Sequence, residues 1–134
     1  MQLNTTTDYA IRVTLYLATV RRAAGSAEIS SSMGIPRGIL GSISKRLREC
    51  GIVDTLLGAN GGYLLARQPE DISLRDIIVA MEGTTRINRC LEPDGFCSRK
   101  GTASCSAHRF FLREQEKLER SFREMTIAKL LNDE

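Results

Sequence analysis

The chain has 134 residues, 42% hydrophobic and 26% charged, with 19 Lys and Arg against 16 Asp and Glu for a net charge of +3. This balance is that of one ordinary soluble domain, or one small domain with an appendage. No apolar run is long enough to span a bilayer, and "MQLNTTTDYA" has neither the basic nor the apolar region of a signal peptide, so a cytoplasmic protein without a membrane partner is expected.

A helical pattern runs from Thr5 to Arg22. Thr5, Thr6 and Thr7 offer caps, and Asp8 suits the positive end of a helix. Tyr9, Val13, Tyr16, Leu17 and Val20 form one stripe, and Ile11, Leu15 and Ala18 a second on nearly the opposite side. A helix apolar on two sides is buried on two sides, one of them against a further element such as a second subunit. "SAEISSSMG" reads as a short helix capped by Ser26 and ended by Gly34. Pro36 then suits the first turn of a new helix, running to Cys50, and Gly51 suits its C-terminal cap. Two helices joined by a tight turn form a helix-turn-helix.

On the second of these helices Ile39, Leu40, Ile43, Leu47 and Cys50 share one face. Arg37, Gly38, Gly41, Ser44, Lys45 and Arg48 are assigned to the other, and no acidic residue interrupts them. A surface that is cationic, small and hydroxyl-bearing suits the major groove of double-stranded DNA. Four charges alone describe any solvated helix face, so the flanking elements decide. Ile52 to Leu57 and Tyr63 to Arg67 read as strands around the turn "GANGG". Helix, turn, helix and hairpin make a winged helix, and Arg67 or the backbone of Gly61 and Gly62 is a candidate for phosphate or minor-groove contact.

"DISLRDIIVAMEG" reads as a helix capped by Ser73 and ended by Gly83. A last helix is expected from about Ser106 to Leu131, with Phe111, Leu118, Phe122 and Met125 on one narrow seam. Such a seam pairs with another helix, and a homodimer supplies the simplest partner. The alternative is packing against its own chain. The expected fold is therefore mainly α with a small β-hairpin: a winged helix-turn-helix over 1–84, a cysteine-bearing sensor loop over 85–106 and a dimerisation helix over 107–134.

That loop holds Cys90, Cys97 and Cys105, with the sole histidine, His108, just beyond. Thiolates select zinc, iron–sulfur or copper(I). Six residues separate the first two cysteines and seven the second two. Zinc knuckles contain a closer pair, whereas widely spaced thiols on a loop wrap a larger inorganic core. No nucleotide-binding glycine motif and no nucleophile–base set is present, so an enzyme is not expected.

The chain resembles the bacterial winged-helix regulators of the Rrf2 family, with IscR-like and NsrR-like members. The resemblance lies in "TTTDYAIRVTLYLA", "IPRGILGSISKRLRECGIVDTLLGANGGYLLAR" and "ISLRDIIVAMEG", followed by the three-cysteine loop and terminal helix. It implies a homodimeric regulator, most simply a repressor, that binds a DNA operator. The recognition helix would be the segment from Pro36 to Cys50, and the wing Asn60, Gly61, Gly62 and Tyr63. It also implies a cluster on Cys90, Cys97 and Cys105. In IscR-like members a histidine three residues past the third cysteine completes a 2Fe–2S site, which matches His108. In NsrR-like members a carboxylate at the position of Asp8, from the other subunit, completes a 4Fe–4S site. Family wings often read Gly-Pro-Gly-Gly-Gly-Tyr rather than "GANGGY". Cys50 stands where Ala is usual, which with its place on the stripe implies a small buried hydrophobe. A thiol–disulfide sensor, a zinc site, or a regulator independent of any cofactor are the competing readings.

Overall fold

The computed structural model describes residues 1–133; Glu134, the last residue of the expected 107–134 segment, lies outside the described residues. The first helix, α1, spans Thr5–Val20. It buries Ala10, Val13, Leu17 and Ala18, while Tyr9, Ile11, Leu15 and Tyr16 are only partly covered. The expected threonine caps are not used. Asn4 occupies the cap, and the carboxylate of Glu82 takes its backbone N–H at 2.7 Å, its side-chain Nδ2 at 2.8 Å and the Thr7 hydroxyl at 2.8 Å. No side chain caps the first-turn amides; a remote acid instead anchors the residue before the helix, which local sequence does not show.

Helix α2 (Ser26–Met33) ends at Gly34, whose φ of 64° is the left-handed cap that glycine favours. Its first cap is Gly25 rather than Ser26. Helix α3 runs Arg37–Glu49, with Pro36 just outside it. Strands β1 (Val53–Leu56) and β2 (Gly62–Leu65) pair antiparallel, with Val53 opposite Leu65 and Leu56 opposite Gly62. A third stretch joins them: Ala24 exchanges two backbone hydrogen bonds with Tyr63, at 2.9 and 2.8 Å. Gly62 is required there. Its φ is 139°, and a Cβ would lie 2.3 Å from the carbonyl oxygen of Ala24.

Helix α4 (Leu74–Glu82) carries the expected ends: Ser73 and Asp76 form a reciprocal capping box and Gly83 closes it at φ 80°. The core is assembled from all of these pieces, with Val13, Leu17, Ile29, Leu40, Ile43, Leu47, Ile52, Ile72 and Ile77 fully enclosed.

The terminal helix differs from expectation. It is two helices, α5 (Ser106–Glu124) and α6 (Ile127–Asn132). Met125 lies in the break, so it does not extend a continuous seam. Thr126 caps α6 through the Lys129 amide at 3.2 Å. On either side, the Leu74 amide donates to Met125 and the Ile127 amide to Ile72, both at 2.9 Å. Ile127 is fully enclosed among the winged-helix residues. Apolar periodicity continues through Thr126, so the sequence pattern alone conceals the turn. The expected apolar face of α5 also meets its own chain. Gln115, in the middle of that face, is fully buried, and Leu118 and Phe122 line a groove with Ile78 and Ile87. Among the described residues no helix is long and apolar enough to cross a membrane.

Truncating Ile127 to Ala removes core volume that only α6 supplies. We expect Ile127→Ala to cost about 2–5 kcal/mol in denaturant unfolding. Lys117→Ala, at an exposed charge on α5 paired with Glu114, is expected to fall within about 0.5 kcal/mol of wild type.

Candidate DNA-reading surface and cysteine centre

Helix α3 presents Arg37, Gly38, Gly41, Ser42, Lys45 and Arg48 to solvent. Among the described residues none of Arg37, Lys45 and Arg48 is in an ion pair. Arg12, Arg22, Arg75 and Arg89, by contrast, are each held by a carboxylate. Unpaired cations with no acid between Arg37 and Arg48 are what a phosphate backbone recruits; the one acid of the helix, Glu49, stands at its last residue.

Two expectations for this helix are corrected. Ser44 is not on the open face: it is 1% exposed and its hydroxyl has no partner. It follows Leu40 by four residues and precedes Leu47 by three, so helical spacing puts it in the apolar stripe despite its polarity. Ser42 is the exposed hydroxyl instead, one turn after Gly38. Cys50 is exposed rather than buried. The helix stops at Glu49, Gly51 turns the chain at φ 71°, and Ile52 takes the next enclosed position.

The wing is also redistributed. Gly58, Ala59 and Asn60 are exposed at the turn, whereas Gly61, Gly62 and Tyr63 are half-buried. The Gly61 amide already donates to Gly58, and a Cβ there would lie 2.1 Å from the Leu56 oxygen. Both backbone groups of Tyr63 are spent on Ala24, and its ring packs against the core. Gly61, Gly62 and Tyr63 therefore shape the wing, leaving Asn60 as the expected residue at its tip. Arg67 donates to the carbonyls of Gly51 and Asp71, at 3.2 and 3.3 Å, and braces the hairpin's base. Leu57, read as a strand residue, is 92% exposed beside the turn, an apolar side chain of the kind that wedges into a minor groove.

The cysteine segment begins where α4 ends. Gln115 of α5 clasps its first residues: its oxygen accepts from the Ile87 amide at 2.7 Å, and its nitrogen donates to the Thr85 carbonyl at 3.0 Å. Thr85 also donates to Glu119, which Arg75 of α4 meets from the other side. The strap then forms a 3-10 turn, Arg89–Leu91, anchored by buried Leu91. This delivers Cys90 to the start of α5, where the Nδ1 of His108 stands 3.2 Å from its Sγ. The sulfur of Cys105 caps α5 by accepting from the His108 amide at 3.4 Å. Cys90, Cys105 and His108 are thus brought together.

Cys97 lies across a cavity of about 250 Å³ that Cys105 also lines. The backbone N–H of Gly101, with that of Arg99 and the Thr102 hydroxyl, holds the Cys97 thiol below its usual range. Donors aimed at a sulfur are what a thiolate ligand requires. Nearby, Arg89 grips both oxygens of Asp94 at 2.6 Å and, with the Phe96 amide, lowers that carboxyl to about 2. Asp8 stands apart on α1, half exposed and paired with Arg12 at 2.6 Å. Among the described residues no three His, Cys, Asp or Glu side chains converge on one ion-sized point. A tetrahedral single ion needs such convergence. Two of the sulfurs, Cys97 and Cys105, line the cavity, while Cys90 and His108 meet each other outside its lining; by donor type, three thiols and an imidazole fit an iron–sulfur group.

A family model described as "Iron-dependent Transcriptional regulator", Rrf2, matches residues 3–133. The chain belongs to the Rrf2 family. It is a helix-turn-helix transcription regulator, and the mostly helical fold with a two-stranded hairpin is the one this family shares. The regulator IscR of Escherichia coli is 28% identical over all of this chain and 82% of its own length. The regulator NsrR of Shouchella clausii is 29% identical over 67% of this chain and 62% of its own. The structure of CymR, the global cysteine regulator of B. subtilis, superposes with a TM-score of 0.81 at 21% identity, covering 100% of this chain and 98% of that one.

Removing one cation from the open face of α3 should be legible in salt. Lys45→Ala and Arg48→Ala are each expected to weaken duplex binding and to reduce the salt slope by about 1. Ser44→Ala should leave the slope as in wild type. A slope change for Ser44→Ala would return that residue to the interface.

Proposed function

We propose that this chain acts in the cytoplasm, without enzymatic activity, as a homodimeric DNA-binding regulator, a repressor in the simplest case. Its grip on a double-stranded operator is set by an iron–sulfur cluster on Cys90, Cys97, Cys105 and His108. The observation that carries this reading is the 3.2 Å approach of the His108 ring nitrogen to the Cys90 sulfur, with the Cys105 sulfur on the same helical turn. That contact favours His108, and with it a 2Fe–2S site, over Asp8 of the partner subunit and a 4Fe–4S site. A bound cluster supplies covalent cross-links among three parts of the segment, and its loss to oxidant, nitric oxide or iron shortage removes them.

The chain's own residues do the rest. Gln115 and Glu119 hold the strap before Cys90 against α5. The Gly101 and Arg99 amides lower the Cys97 thiol and so favour its ligating form. Arg37, Gly38, Gly41, Ser42, Lys45 and Arg48 meet the major groove, and Asn60 with Leu57 extends the wing. For the dimer, Phe110 and Leu112 remain exposed on the flanks of α5, and Ile11 and Leu15 are half-covered on α1. Phe111, Leu118 and Phe122 complete the apolar surface.

A second reading keeps the fold and makes the cysteines a thiol–disulfide or zinc centre. The lowered Cys97 thiol favours it. Protein purified without oxygen separates the two: visible absorption with equimolar iron and sulfide is expected, and zinc or colourless thiols would sink the cluster reading. Cys90→Ala should lose the absorption entirely. His108→Ala should bleach it, whereas Asp8→Ala should not; the reverse pattern would hand the fourth position to Asp8 of the partner subunit.

A further inference from the structure

Three parts of the molecule meet at the last turn of α4. Arg46 of α3 donates from Nη1 to the Met81 carbonyl at 2.9 Å. The next residue, Glu82, holds the start of α1 through Asn4 and Thr7. Gly83 then turns the chain, which enters the strap that Gln115 fixes at Thr85 and Ile87 on the way to Cys90. Met81 offers one of the carbonyls that a helix leaves without an internal partner at its C-terminus. A guanidinium there satisfies it and complements the negative end of the helix.

Arg46 differs from the cations of the reading face. At about 100° per residue it lies on the flank of α3 toward α4, roughly 100° round from Lys45. Of the cations on α3 it is the one with a hydrogen-bonded protein partner among the described residues. One turn after Ser42, at the edge of that face, it spends its Nη1 on the connection between helices.

We propose that Arg46 is a positioning residue that carries the state of the cysteine segment to the recognition helix. This rests on the reading that the segment controls DNA binding. A strap pulled toward Cys105 and His108, or released, displaces the α4 end at Met81. The Arg46 tie transmits that displacement to α3 and so to the angle at which Lys45 and Arg48 are presented. The hydrophobic contacts of α3 with α4 are non-directional and tolerate sliding; the guanidinium–carbonyl bond does not.

The test uses the full-length protein and a duplex selected from a random-sequence pool by wild type. Affinity is measured for cluster-loaded and metal-free forms of wild type, Arg46→Gln and Arg46→Lys over a range of salt. Wild-type forms should differ within the usual range for coupled sites, about 5- to 150-fold. For Arg46→Gln the ratio should fall to within about twofold of one, with the salt slope unchanged, and Arg46→Lys should keep part of the ratio. Linkage is reciprocal, so metal-free protein gives an independent readout. The duplex should change the alkylation rates of Cys90, Cys97 and Cys105 in wild type but not in Arg46→Gln, with exposed Cys50 read separately by mass. An Arg46→Gln protein that keeps the wild-type ratio overturns the proposal. So does one whose salt slope drops by about 1, which makes Arg46 a phosphate contact. Equal affinity of the two wild-type forms instead sinks the switch itself.

Discussion

A buried amide, that of Gln115, clasps the start of the cysteine segment to α5. Gln115 is fully enclosed, and both ends of its side chain are committed to the backbone of Thr85 and Ile87. A buried polar group without partners costs about 1–3 kcal/mol, so the clasp is demanding as well as stabilising: strap and helix satisfy each other or neither is satisfied. Glu119 repeats the device one turn later, taking Thr85 from the strap and Arg75 from α4. Because α5 also carries His108 in its first turn, fixing the strap on α5 fixes where Cys90 arrives. The proximity of Cys90 to His108 follows from contacts several residues away from either.

Charge is divided in a way that composition conceals. A net charge of +3 is unremarkable for a nucleic-acid-binding protein. Yet several arginines outside α3 are spent internally: Arg22 on Glu28, Arg75 on Glu119, Arg89 on Asp94, and Arg67 on backbone carbonyls. Arg37, Lys45 and Arg48, by contrast, are in no ion pair among the described residues. Exposed pairs of this kind add little stability each. Their larger effect here is to leave a concentrated cationic face on a nearly balanced chain.

Where a residue's role was set by its neighbours in sequence, it was legible. Ser73 with Asp76, and the left-handed glycines Gly34 and Gly83, act within their own turns, and their signals were unambiguous. The winged-helix order followed from element succession, whereas the place of His108 beside the cysteines was implied by the family resemblance, with Asp8 as its alternative. The misreadings all involve long-range partners or residue type set against position. Ser44 was sorted by its hydroxyl when its spacing placed it in the stripe. Cys50 was carried along a stripe that had already ended at Leu47. Threonines were offered as caps for α1 when its start is anchored by Glu82, far along the chain. The seam of α5 and α6 showed that a face is buried without showing against what, and Thr126 redirects the chain with a signal no stronger than any other exposed hydroxyl.

The two halves of the cysteine segment are held by interactions of different strength. From Thr84 to Leu91 the contacts are buried or nearly so: the Gln115 clasp, Glu119, and the enclosed Leu91 side chain. From Glu92 to Thr102 they are the exposed Arg89–Asp94 pair, stacking of Arg89 on the half-exposed Phe96 ring, and short-range turn hydrogen bonds such as Lys100 to Cys97. Exposed pairs and single turns open at little cost. Cys90, Cys105 and His108 therefore stand on a preorganised frame, while Cys97 rides on the part that yields. On the proposed reading, a core spanning all four ligands would take up its order mainly at the Cys97 turn. Ordering or releasing that turn would then act on a frame tied at Met81 to α3 and at Glu82 to α1. A sensor of that kind would need only one weak turn, because these ties run from the frame to the helices that carry the proposed DNA-reading face.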